Sequence, residues 1–108
     1  MNYRVLLTST AENDIEEAAI WWAENRSLEQ AVRWLSKVRE WIATLARHPE
    51  RCPTAHETSL AAFHVRVLLF GIGRRPTHRI LFRITDDLVE VLTVRHIARA
   101  DVEPNEMI

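Results

Sequence analysis

Apolar positions follow two rhythms along this chain, one after the other. In the first half they recur every three or four residues, and in the second half they come in short runs and alternations broken by turn residues. Ile15, Ala18, Ala19 and Trp22 fall at helical spacing and form one stripe. Asn25-Arg26-Ser27 breaks that helix. A longer one follows, with Ala31, Trp34 or Leu35, Val38, Trp41 or Ile42, and Leu45 on its buried face. Ser9 with Glu12, and Ser27 with Gln30, have the form of capping boxes that open the two helices. The second helix is expected to stop near His48-Pro49, because the residue before proline is pushed out of helical geometry. Before the helices, Tyr3 to Thr8 suits a strand, and after them a Pro-, Thr- and Ser-rich loop occupies about 50–61.

The span 64–96 reads as three short strands. Asp86-Asp87 suits a two-residue hairpin turn, which sets Thr85 opposite Leu88, Ile84 opposite Val89 and Arg83 opposite Glu90. Extending that register puts His78, Ile80, Phe82 and Ile84 on one face beside Val89, Val91, Thr93 and Arg95. This mostly apolar face should pack on the helices. Arg79, Leu81, Arg83 and Thr85 share the other face with Leu88, Glu90, Leu92, Val94 and His96. A slip of one residue would exchange the faces. The layout predicts an α+β fold in two layers: an N-terminal strand, an α-helical hairpin, then a three-stranded antiparallel meander.

Composition narrows the class. At 108 residues, 47% hydrophobic and 27% charged, residues 1–108 are expected to form one soluble globular domain. Asp101 to Ile108, mixed in polarity and containing Pro104, should fray. A lone Cys52 allows no internal disulfide and fits a reducing compartment. With no apolar run of membrane-spanning length and no leader-like N-terminus, the expected location is the cytoplasm, with no membrane partner.

Net charge is −1, which argues against nucleic-acid binding driven by bulk charge. The distribution is uneven: residues 1–62 hold seven Lys or Arg against nine Asp or Glu, whereas 63–85 hold five arginines and no acid. Those five are Arg66, Arg74, Arg75, Arg79 and Arg83. A guanidinium is a permanent cation whose planar fork fits phosphate or carboxylate. Metal-free RNA cleavage needs a base for the 2′-hydroxyl, cations for the pentacoordinate phosphate and an acid for the leaving oxygen. Arg66, Arg79 and Arg83 are the candidate cations, and His96, with an ordinary pKa of about 6.5, the candidate base or acid. Glu90 is a second base, and its pairing with Arg83 would hold it ionised. Arg74, Arg75, Arg95 and Arg99 are candidate contacts to an anion or a target. Gly71-Ile-Gly-Arg-Arg75 lacks the Lys-Ser/Thr and the helix of a phosphate loop and reads as a hairpin loop. The histidines and Cys52 do not have zinc-site spacing, so no metal is expected. Most of the tryptophans fall on helix stripes. Trp21 sits beside its stripe and is a candidate partner contact.

Taken in order, several segments resemble the RelE/ParE superfamily of toxins from bacterial toxin–antitoxin modules. They are Tyr3 through Ile15, Leu45-Ala-Arg-His-Pro49, Val65-Arg66, Thr77 through Ile84, and Val89 through Asp101. The resemblance implies a small cytoplasmic toxin of a type II module, associated with growth inhibition and plasmid stabilization and held inactive by a cognate antitoxin, to which Trp21 would contribute. It implies no cofactor. Target divides the superfamily. RelE-like members cut mRNA on the ribosome, and ParE-like members inhibit DNA gyrase without cleavage residues. Lysine and tyrosine are lacking near the C-terminus here, where the nucleases usually carry them, and Ile97 follows His96 in place of an aromatic. The resemblance is therefore closer to ParE. The alternatives are a RelE-like ribosome-dependent, metal-free endonuclease using Arg66, Arg79, Arg83 and His96, and an inactive relative serving as a binding module.

Overall fold

Thr8, one residue earlier than the expected Ser9, caps the first helix. Its hydroxyl accepts from the Ala11 N–H at 3.1 Å and donates to the Leu92 carbonyl at 2.9 Å. One side chain thus closes a helix end and ties it to the sheet. The computed structural model describes residues 2–107. Its main elements are β1 (Arg4–Leu7), α1 (Ser9–Asn25), α2 (Leu28–Ala43), β2 (Arg66–Phe70), β3 (His78–Thr85) and β4 (Leu88–His96). Ser27 caps α2 as expected, accepting from Gln30 N–H at 3.1 Å. Past α2 and a further helical turn, His48 takes a left-handed conformation ahead of Pro49. The Arg51 guanidinium bonds the Arg47 and His48 carbonyls there, at 2.9 and 3.1 Å.

The sheet has four strands in the order β1-β4-β3-β2, with β1 parallel to β4 and the other pairs antiparallel. The two helices cover one face. Trp34 and Ile42 are the buried members of their alternatives; Leu35 is half-buried and Trp41 exposed. They join Ala11, Ile15, Val38 and Leu45 against Phe70, Ile80, Phe82, Val89, Val91 and Val94.

The hairpin register holds only over its first half. Thr85–Leu88, Ile84–Val89, Arg83–Glu90 and Phe82–Val91 pair directly, with Asp86 at positive φ in the turn. An irregularity follows between Leu81 and Phe82, where Leu81 pairs with Thr93 and Leu92 is the extra residue. Beyond it every facing reverses. Val94 enters the helix-side core, His96 pairs with His78, and Arg95 pairs with Arg79 on the opposite face. The expected placements of Val94, Arg95 and His96 are therefore corrected, since one bulged residue shifts a period-two pattern by half a repeat.

The α+β arrangement is as expected, with an N-terminal strand, a helical hairpin and three antiparallel strands, and short segments cover the second face too. Leu60, Val65, Leu81, Leu92, Val102 and Met107 form a separate cluster there. Asp101 to Met107, expected to fray, instead lie against the sheet, with Val102 and Met107 buried and Pro104–Met107 forming a helical turn. Ile108 lies outside the described residues.

Candidate functional site

The arginine face of the sheet is built of closed ion pairs. Arg79, only 7% exposed, donates both guanidinium arms to Glu57, at 2.8 and 2.6 Å. The Val102 N–H also donates to that carboxylate, at 2.9 Å. Burial alone would raise the Glu57 pKa. The Arg79 and backbone hydrogen bonds and the Arg79 charge overcome it and hold the carboxyl at about 2. Arg95 is buried as well. It donates to the Ala100 carbonyl at 2.7 Å and to Glu106 at 2.7 Å, while its Nε has no hydrogen-bond partner. Arg83 pairs with Glu90 across the hairpin at 2.9 Å, as the register predicts.

The four residues expected to cleave RNA are not brought together. Arg79 and Arg83 lie on the second face and are neutralised there. Arg66 lies opposite Phe82 and donates to the Cys52 and Glu50 carbonyls, at 2.6 and 3.3 Å. That puts Arg66 on the helix side at one sheet edge. His96 is also on the helix side, at the far end of its strand, because of the bulge. His56, Glu57 and Asp101 do gather, with His56 Nε2 and Asp101 Oδ1 at 2.7 Å. Arg79 and Val102 already occupy both Glu57 oxygens, so the group is an ion-pair cluster rather than an open set of metal donors.

Where β3 begins and β4 ends, a cleft of about 580 Å³ opens beside α1. Trp21, Trp22, His78 and His96 are its rings, and Arg26 and Arg99 its cations. The His78 and His96 rings meet edge to face at 5.2 Å, and His78 also lies 5.2 Å from the buried Trp34 ring. Burial, with the neighbouring His96 charge adding to it, pushes the His78 imidazole down to about 4, so this ring is neutral near pH 7. Asp14 also lines the cleft, but its carboxylate is engaged by the Thr93 hydroxyl and by the Val94 N–H at 3.0 Å. Of the expected anion contacts, Arg99 lines the cleft, Arg74 and Arg75 sit exposed in the β2–β3 loop, and Arg95 is buried on the other face.

Residues 5–100 match the family described as ParE toxin of type II toxin-antitoxin system, parDE. The chain belongs to the ParE toxin family. No curated protein matches it. Among solved structures, the ParE-family chain is similar in fold to the chromosomal ParDE toxin–antitoxin system from P. aeruginosa. That match has 14% identity and a TM-score of 0.70, and covers 88% of this chain and 96% of the other. It is also similar to the toxin–antitoxin complex RelBE2 from Mycobacterium tuberculosis. There identity is 28% and the TM-score 0.61, with 89% of this chain and 99% of the other covered. The ParE-family chain is thus a type II toxin with a RelE/ParE-like fold. No helix among its described residues is long and apolar enough to cross a membrane.

Sequence reasoning found Glu90 but missed two other acids of this ParE-family chain, Glu57 and Glu106. The one available signal for Glu57 is that it is the sole acid between Glu50 and Asp86, just ahead of all five arginines of the run. Glu106 gave no comparable signal, because its role depends on a tail that folds back. His78 was placed on the right face, but its partner His96 was not.

Proposed function

We propose that this toxin arrests growth by binding and blocking an essential protein, with DNA gyrase the leading target, rather than by cutting RNA. The observation that carries the reading is the buried two-armed Arg79–Glu57 pair. A phosphoryl transition state needs uncompensated donors where charge develops. Here Arg79 faces a carboxylate held ionised, Arg83 faces Glu90, and His96 is on the other side of the sheet. These facts disfavour the endonuclease reading.

The exposed apolar residues of the helical hairpin suit protein contact. Ile20, Leu28 and Val32 border a groove of about 430 Å³ between α1 and α2, and Trp21, next to Ile20 in α1 and lining the cleft, is 49% exposed. A cognate antitoxin covers this hairpin surface and holds the toxin inactive. The test is to induce the chain alone and with its antitoxin, following growth, a DNA-damage reporter, transcript integrity and supercoiling by purified gyrase. Arrest with blocked supercoiling and intact transcripts is expected. Cleaved transcripts with unaffected gyrase would overturn the proposal, and unimpaired growth would leave the binding-module reading in its place.

A further inference from the structure

The cleft beside α1 is not used by the proposed contact with antitoxin or target, apart from the shared Trp21. Its rings are held in place from behind: His78 packs on Trp34 and meets His96, and Trp21 meets Trp22 edge to face at 5.5 Å. The Arg26 guanidinium lies 6.0 Å from the Trp21 ring centre. Neither Arg26 nor Arg99 forms a close ion pair among the described residues, although the Arg99 charge acts on Glu106 at longer range. Glu17 is the one lining acid without a described hydrogen bond, because Asp14 is engaged by β4.

His96 adds a donor of fixed direction. Its Nδ1 accepts the Ala98 N–H at 3.0 Å, which leaves Nε2 as the ring nitrogen that can donate into the cleft. His78 is similarly engaged at Nδ1, 2.8 Å from the Thr77 hydroxyl. The cleft therefore combines flat ring faces with cationic and N–H donors, and its volume lies in the range of about 300–1,000 Å³ typical of small-ligand pockets. Its walls are a helix flank and a paired strand end, His78 opposite His96, which suit a planar ring better than an extended chain.

We propose that this cleft binds a nucleoside phosphate. The base lies against Trp21 and the imidazoles, where stacking tolerates any base, and the phosphate is held by Arg99 with the His96 Nε2–H. Glu17 accepts from an amino group on the base edge. The nucleotide is either free or the exposed terminal unit of a single strand, and the same contacts serve both.

The assignment is independent of the toxin's target, and it is tested on the full chain without reference to growth. Calorimetry with AMP, adenosine, inorganic phosphate and a 5′-phosphorylated dinucleotide reads it directly. AMP should bind saturably, and adenosine or phosphate alone at least about tenfold more weakly, because each keeps half of the contacts. Trp21→Ala and Arg99→Ala, both at exposed positions, should each weaken AMP by about tenfold or more with unchanged circular dichroism. A dinucleotide preference would assign a strand end and an AMP preference a free nucleotide; either supports the site. No saturable AMP binding up to about 10 mM, phosphate binding as tightly as AMP, or full affinity in both variants would overturn it.

Discussion

Glu57→Gln is the sharpest test of how the second face is held. The substitution keeps the shape of the side chain and one carbonyl acceptor, but it leaves the buried Arg79 guanidinium opposite a neutral group. Two independent routes give the size of the loss. Displacement of the carboxyl from its ordinary 4.5 to about 2, at about 1.4 kcal/mol per pK unit, corresponds to about 3 kcal/mol. Truncating one partner of a buried pair costs about 3–5 kcal/mol. The Glu57 side chain is 1% exposed, so solvent screening does little to reduce either figure. A domain of this size has a total stability of about 5–15 kcal/mol, so the variant should be visibly weakened. Urea unfolding followed by tryptophan fluorescence measures the difference. The sign with pH is fixed: a depressed folded pKa gives stability that is complete above 4.5 and lost as pH falls from 4.5 to about 2. The gap between wild type and Glu57→Gln should therefore be full at pH 7 and narrow steadily below pH 4.5. A difference under about 1 kcal/mol at pH 7, or one that does not change at low pH, would refute the reasoning. Glu57→Leu combined with Arg79→Met should recover much of the loss, because neither charge is then stranded.

Three further outcomes follow from the geometry. Because the folded His78 pKa is lowered from 6.5 to about 4, the native state binds fewer protons than the unfolded chain in that window, and stability should fall by about 2 kcal/mol between pH 7 and pH 5. His78→Gln should remove that slope in denaturant titrations, and an unchanged slope would assign it to another group. Deleting residues 101–108 removes buried Val102 and Met107, worth about 1.5–3 kcal/mol each, and strips Arg95 of Glu106. Thermal melting should show severe destabilisation or no folded protein, whereas a loss within about 1 kcal/mol would mean the tail is dispensable. Asp14→Asn weakens the bonds from Thr93 and the Val94 N–H and should cost about 1–3 kcal/mol. Hydrogen exchange at the Val94 amide should rise accordingly, and unchanged protection there would contradict the tie.

The helices and the start of the hairpin were legible because their signals are local. Helical spacing from Ile15 to Leu45, the Ser27 cap and the Asp86-Asp87 turn each depend on residues a few positions apart. What was not legible depends on distant partners. Thr8 outcompetes Ser9 as a cap because only Thr8 also reaches the Leu92 carbonyl. The arginines looked like an open cationic surface because their acids, Glu57 and Glu106, arrive from a loop and a tail that sequence spacing could not fold back. The parallel docking of β1 on β4 is likewise a tertiary fact. The bulge had no signature either, since Leu92, Thr93 and Val94 suit a strand in any register.

That one extra residue at Leu92 works like a half-twist in a ribbon. Were Leu92 instead to pair regularly with Leu81, so that no residue was left over, the last stretch of β4 would turn over. Arg95 would be driven into the tryptophan-lined interior and Val94 would land among carboxylates, so the strand's register, as much as its composition, keeps both sides of this toxin apart.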